Sequence, residues 1–135
     1  MKNQVLSIEQ MRQLQELGVG TSEASLFYDF KDNEGLDVVK YPGRLNKYIE
    51  NGYGIGAFTL QDLINQMPHT ISKHGKAQSY LLAVPHHNVV EYVHWSEKNE
   101  LFAVHEEQGK DILEAAFNML VWLAKSGHLR KEEKQ

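Results

Sequence analysis

Seven histidines stand in this 135-residue chain, and two of them, His94 and His105, fall in consecutive strand-like segments. NVVEYVHW and LFAVHEE flank the turn EKNE and alternate in the way antiparallel neighbours do. Pairing His94 with Ala103 puts Tyr92, His94, Ala103 and His105 on one face, and Val93, Trp95, Phe102 and Val104 on the other, with Glu91 and Glu106 at its margin. The second set reads as the core face. On the first, two diagonal imidazoles with Tyr92 or Glu91 nearby have the reach to share a metal ion or to form an acid-base pair. A catalytic zinc takes three protein ligands, however, and no H-E-x-x-H or H-x-H fixes them here. His69 and His74 in HTISKH are no better placed. The simpler reading of Tyr92, His94 and His105 is a surface that meets a partner, with no metal and no cofactor required.

A second candidate is Gly52-Tyr53-Gly54-Ile55-Gly56-Ala57, which satisfies G-x-G-x-x-G/A. A dinucleotide site needs a buried parallel strand before those glycines and a helix beginning at them. The preceding RLNKYIEN is too polar for such a strand, and the following helix begins at Thr59, whose own side chain can satisfy an N-terminal amide. The expected structure is a mobile loop with Tyr53 and Ile55 as exposed apolar contacts, ordered by a protein surface. Nucleophilic catalysis has little support: there is no G-x-S-x-G elbow and no cysteine. The absence of cysteine also removes disulfides and thiolate zinc sites. Glu106-Glu107 reads as charge placed favourably before the last helix.

The elements that must position these residues begin with LSIEQMRQLQEL. Ser7 and Gln10 form a capping box, Leu6 and Met11 a hydrophobic staple, and Gly18 a stop. SLFYDF and LDVVKY, separated by KDNEG, predict a hairpin. RLNKYIEN predicts a short helix on Leu45, Tyr48 and Ile49. At Phe58–Met67 the grammar of the first helix returns, with Thr59 as cap, Asp62 at the capping-box position and Pro68 as stop. A strand can begin at Thr70, and residues 78–106 predict a three-stranded meander with PHHN as its first turn. The last helix, 109–126, is apolar nearly all round at AAFNMLVWLA, interrupted only by Asn118, so it should be covered on two sides, by the rest of the chain or by another subunit. Phe117, Met119, Leu120, Val121, Trp122 and Leu123 are the residues such a cover would meet. The order predicts an α+β fold in which an antiparallel sheet, a hairpin plus a meander, packs with an N-terminal, a short central and a long C-terminal helix. It fits one domain over residues 1–129 and a charged, disordered tail over 130–135.

Charge narrows the partners. A net charge of −4 and a pI near 6.0 disfavour nonspecific nucleic-acid binding. A local basic stretch exists even so, since no acid lies between Asp62 and Glu91 while His69, Lys73, His74, Lys76, His86 and His87 do. It reads most simply as a solvated surface. No apolar run reaches the roughly 18 residues of a membrane span, and MKNQVLSIEQ lacks a signal peptide's apolar stretch, so the expected location is the cytoplasm.

LSIEQMRQLQELGVGTSEAS, AFTLQDLINQMP and EAAFNMLVWLAKSGHL together resemble short proteins that recur in bacterial prophages and mobile elements. The resemblance covers both ends and the middle, but not the hairpins between. The chain departs from that pattern at Ser126-Gly127-His128, where Asn-Gly-Tyr is expected. That family has no established activity, so the resemblance implies a context and no catalytic residue. The reading is a small accessory protein that binds another protein or itself, using Tyr53, Ile55, Tyr92, His94, His105 and Trp122. The alternative is a metal-dependent or acid-base enzyme built on His94 and His105.

Overall fold

The computed structural model describes residues 5–31, 35–39, 42–72, 79–95, 98 and 100–129. The tail expected over 130–135 and Lys73, His74 and Lys76 of the basic stretch lie outside them. Two compact units are present, the first ending at Ile64 and the second running from Asn65 to Leu129. The fold is α+β, with four helices and two antiparallel sheets among the described residues. The hairpin and the meander belong to separate sheets, and each gains a strand.

In the first unit the elements are α1 (Ile8–Glu16), β1 (Leu26–Asp29), β2 (Leu36–Val38), α2 (Pro42–Glu50), β3 (Gly54–Ala57) and α3 (Leu60–Gln66), within which the division falls. α1 starts on the expected capping box: Ser7 Oγ accepts from the Gln10 amide at 3.2 Å, and Gln10 Oε1 accepts from the Ser7 amide at 3.0 Å. Leu6 and Met11 are fully buried beside it. Gly18, at φ 86°, lets the Val19 amide reach back to the Leu14 carbonyl and close the helix.

α3 starts in the same way but does more. Thr59 Oγ1 accepts from the Asp62 amide, and Asp62 Oδ2 accepts from the Thr59 amide at 3.0 Å. The same carboxylate accepts from the Ser25 amide at 2.9 Å and the Ser25 hydroxyl at 2.6 Å. A helix cap is thereby tied to the residue that opens β1. The buried Asp62 is fully satisfied by this set, as a buried carboxylate must be. Phe58 completes the junction, its carbonyl accepting from the Leu6 amide and its amide donating to Met11 Sδ.

The first sheet has the order β2-β1-β3. Its third strand is the segment expected as a mobile glycine loop, and Gly54, Ile55, Gly56 and Ala57 are all buried. Each glycine has a structural reason. Gly52, at φ 74°, ends α2: its amide donates to Ile49 and the next amide, of Tyr53, donates to Tyr48. Gly54 lies under the Tyr48 ring, and Gly56 lies against the Thr21 carbonyl, closer than a Cβ allows. Strand formation overrides glycine's weak β preference because β1 pairs with this backbone from Leu26 to Asp29, and only a bare backbone fits beneath its neighbours.

The second unit holds β4 (Thr70–Ser72), β5 (Ser79–His86), β6 (Val89–Trp95), β7 (Leu101–Gln108) and α4 (Ile112–Lys125), with sheet order β4-β5-β6-β7. The first meander turn is tighter than PHHN: His86 pairs with Val89, leaving His87-Asn88 as the turn. Pro85, which has no amide hydrogen, sits instead at the irregularity between Ala83 and His86.

Between β6 and β7 the expected register holds from Tyr92↔His105 toward Val89 and fails on the other side. A bulge at Val104 shifts the pairing to Val93↔Ala103 and His94↔Phe102. α4 is capped by Asp111, whose carboxylate accepts from the Glu114 amide at 2.9 Å, and packs on β6 and β7. Ala115, Ala116, Phe117, Met119, Leu120 and Leu123 are buried, covering more than half the helix circumference at ~100° per residue. Asn118, the polar interruption, donates to the Gln108 carbonyl at the end of β7.

Candidate functional site

His105 and Trp122 are brought together. Their rings stack at 3.7 Å between centroids and 10° between planes, and the His128 ring is tilted by 34° against the indole at 5.2 Å. His105 Nε2 lies 2.5 Å from Glu107 Oε2, two residues along the same strand face. Glu107 therefore serves β7 and its histidine as well as preceding α4. His94 pairs with Phe102, and the bulge inserts a residue between that partner and His105 on β7. Among the described residues no group of three or more His, Cys, Asp or Glu side chains could hold a metal ion. His105 thus forms a clasp between a strand and a helix.

The face expected to be semi-polar is the one that α4 covers. Tyr92 is fully buried, while Phe102, assigned to the core face, is 50% exposed. Tyr92 lies on the regular side of the bulge and owes its burial to its position under α4, whereas the bulge carries Phe102 across to pair with His94. Val93 is buried as well, so β6 is enclosed on both sides. The Tyr92 hydroxyl donates to the Pro68 carbonyl at 2.7 Å, and burial pushes its phenol pKa up. Burial raises that of Tyr28 too. A phenol raised in the folded state costs nothing while both states are protonated. Stability is therefore full below the ordinary phenol value near 10 and falls as pH rises above it, where the unfolded chain ionises first. Urea midpoints should hold from pH 8 to about 10 and then decline. Tyr92→Phe should flatten that decline while losing about 1 kcal/mol at pH 8 with its hydrogen bond.

Ile55, expected as an exposed contact, is 3% exposed. Tyr53 is 37% exposed and closes an aromatic cluster in which Tyr48 meets Phe27 and Tyr53 edge-on, at 5.6 and 5.5 Å. The Tyr48 hydroxyl donates to Asp29 Oδ1 at 2.5 Å, and Lys31 Nζ stands 4.3 Å from the Tyr53 ring centre. These groups lie on the face of the first sheet that bears Phe27, Asp29, Gly54 and Gly56, where α2 packs.

The opposite face is different. The registers Leu26↔Val38 and Tyr28↔Leu36 place four apolar side chains together on β1 and β2, and Phe30 continues the row. On the β3 side this face is closed: Ile55 and Ala57 are buried, α1 packs on β3, and the Tyr28 hydroxyl donates to the Leu6 carbonyl at 2.7 Å. On the β2 side it is open. Val38 is 57% and Phe30 40% exposed, and Leu26, Tyr28 and Leu36 are half-buried. Arg12 of α1 places its guanidinium 6.0 Å from the Phe30 ring centre.

None of Leu26, Phe30, Leu36 and Val38 stood out as a site in the sequence, although the signal was present. Leu26, Tyr28 and Phe30, and then Leu36 and Val38, repeat at period two on either side of the predicted turn. The chain matches no family model, no curated protein and no solved structure. No helix of the described residues is long and apolar enough to cross a membrane.

Proposed function

We propose that this chain is a small accessory protein, of the kind found in prophages and mobile elements, that acts by binding another protein. The observation that carries this reading is the open face of Leu26, Tyr28, Phe30, Leu36 and Val38. Each strand of the hairpin turns an unbroken apolar row to that side, and contiguous exposed apolar surface rimmed by polar residues marks interaction sites. The C-terminal helix lends self-association less support, since Phe117, Met119, Leu120 and Leu123 are buried while Val121 and Trp122 are half-buried. Acid-base chemistry at His105 draws less support, because the ring has one face on Trp122 and a nitrogen on Glu107.

The pair Phe30→Glu and Val38→Glu tests the reading. Both positions are exposed, so the thermal midpoint should move by no more than what about 0.5 kcal/mol per site produces. A partner copurifying with the wild-type chain from its own cells should be lost. Retention of that partner by the folded double variant would contradict this use of the face.

A further inference from the structure

The turn that closes α2 carries a reactive pair. Of the eight asparagines in the chain, only Asn51 is followed by glycine. The carbonyl carbon of an asparagine side chain is open to attack by the amide nitrogen of the next residue. A Cβ on that residue obstructs the approach, and glycine has none. Asn51 and Gly52 are both exposed, and the Asn51 side-chain amide has no hydrogen-bond partner among the described residues. A Cβ built on Gly52 would meet nothing within 4 Å, so no neighbour crowds the turn there. The surroundings of other asparagines differ: Asn46, Asn65 and Asn118 lie inside helices, whose ladder holds the next amide, and Asn88 precedes the β-branched Val89. One bond restrains Asn51 as well. The Gly52 amide donates to the Ile49 carbonyl at 3.0 Å and must let go before its nitrogen turns to the side chain. Exposed bonds at a helix end are the first to open.

We propose that Asn51-Gly52 is a site of spontaneous succinimide formation in the folded chain, which converts Asn51 to aspartyl and isoaspartyl forms. The inference is independent of the protein-binding reading. The Gly52 nitrogen, having given its proton to solvent base, forms a bond to Asn51 Cγ. The Cγ–Nδ2 bond breaks, and Nδ2 leaves as ammonia with a proton taken up from solvent. Water then adds either to Cγ or to the Asn51 backbone carbonyl carbon and breaks that carbon's bond to the Gly52 nitrogen, which regains its proton. The first opening leaves an aspartyl residue. The second leaves an isoaspartyl residue, with the main chain routed through Cβ and Cγ and one carbon longer. Water is the only co-reactant. The aspartyl product places a negative charge at the C-terminal end of α2, against the helix dipole but one turn from Lys47. The isoaspartyl product does more. Its extra carbon falls between the Asn51 amide, bonded to the Lys47 carbonyl, and the Gly52 and Tyr53 amides, bonded to Ile49 and Tyr48. Those bonds close α2 and aim the chain into β3, where Gly54–Ala57 are buried in register with β1. A lengthened link does not satisfy them together, so the entry to β3 loosens at Tyr53.

Incubating the full chain in mildly alkaline buffer, folded and in denaturing urea, tests this, with peptide mass mapping of every asparagine and an isoaspartyl-specific methylation assay. In the folded chain Asn51 should convert at least about tenfold faster than any other asparagine. It should convert about fivefold to tenfold more slowly than in the unfolded chain, the factor set by opening one exposed backbone hydrogen bond. Gly52→Ala, whose added Cβ meets no neighbour, should fold and slow the conversion by at least about tenfold. The isoaspartyl fraction, separated by chromatography, should unfold at lower urea than the unmodified chain, while Asn51→Asp should stay close to it. An intact Asn51 in the folded chain once the unfolded chain has converted fully would overturn the inference, as would equal conversion in Gly52→Ala. An isoaspartyl fraction with the unmodified midpoint would overturn the effect assigned to it on β3.

Discussion

Replacing Gly56 by alanine is expected to destabilise the first unit by about 3 kcal/mol, near the upper end of what overpacking costs. A Cβ at this position would lie 2.1 Å from the Thr21 carbonyl oxygen and 3.0 Å from the Ala24 methyl. The nearer obstacle is backbone, so relief requires moving the chain between α1 and β1 rather than turning a side chain. Gly54→Ala meets the Tyr28 carbonyl oxygen at 2.4 Å and should behave similarly. Gly52→Ala is the contrast: a Cβ there meets nothing within 4 Å, and only the left-handed backbone resists it, at about 1–2 kcal/mol. Urea denaturation ranks the three. A phosphate-cradling loop would give another pattern, with alanine variants that fold normally and lose an anion. A stable Gly56→Ala protein would therefore remove the account of β3 as a close-packed strand.

Asp62→Ala should cost about as much, also about 3 kcal/mol, for a different reason. Its carboxylate receives the Ser25 amide, the Ser25 hydroxyl and the Thr59 amide, and it is 5% exposed. Alanine leaves two backbone donors without their acceptor and unties β1 from the start of α3. Ser25→Ala and Thr59→Ala each delete one side-chain contact and leave the carboxylate in place, so each should cost about 1 kcal/mol. Asp62→Asn should fall between, because the amide offers one acceptor atom where two are used. Thermal melts of the four variants check the order. If Asp62→Ala matches Ser25→Ala, the carboxylate is a local cap and not the tie between the two elements.

These two sites show what could be read in the chain and what could not. The helix starts were legible because a cap is local: Ser7 with Gln10 and Thr59 with Asp62 declare themselves within four residues. Ser25 reaching the same carboxylate spans 37 positions, and nothing in TSEAS announces it. LSIEQM, TSEAS and AFTLQDL, far apart in the chain, meet around Phe58, Met11 and Asp62 in one packed junction. GYGIGA was misjudged because glycines suggest mobility locally, whereas their reason lies in Tyr48 and Thr21.

The site followed the same division. Tyr92, His94 and His105 were placed on one face correctly by alternation, but the packing of α4 decided that this face is covered, and an extra residue at Val104 shifted the pairing beyond it. A bulge leaves no clear mark in LFAVHEE. The open face of the hairpin was available from period-two reading alone, yet which side α1 leaves uncovered depends on Tyr28 reaching Leu6 and Arg12 reaching Phe30.

Photocrosslinking from single positions tests the proposed role of that face most directly. A benzoyl-phenylalanine placed at Val38 or Phe30, on the open face, should give a discrete adduct with one partner protein when irradiated in the cells that make the chain. The same group at Asp37, on the other face of β2, or at Glu50, exposed on α2, should give none. Adducts of equal yield at all four positions, or none at Val38 and Phe30, would contradict the assignment of this face as the binding surface.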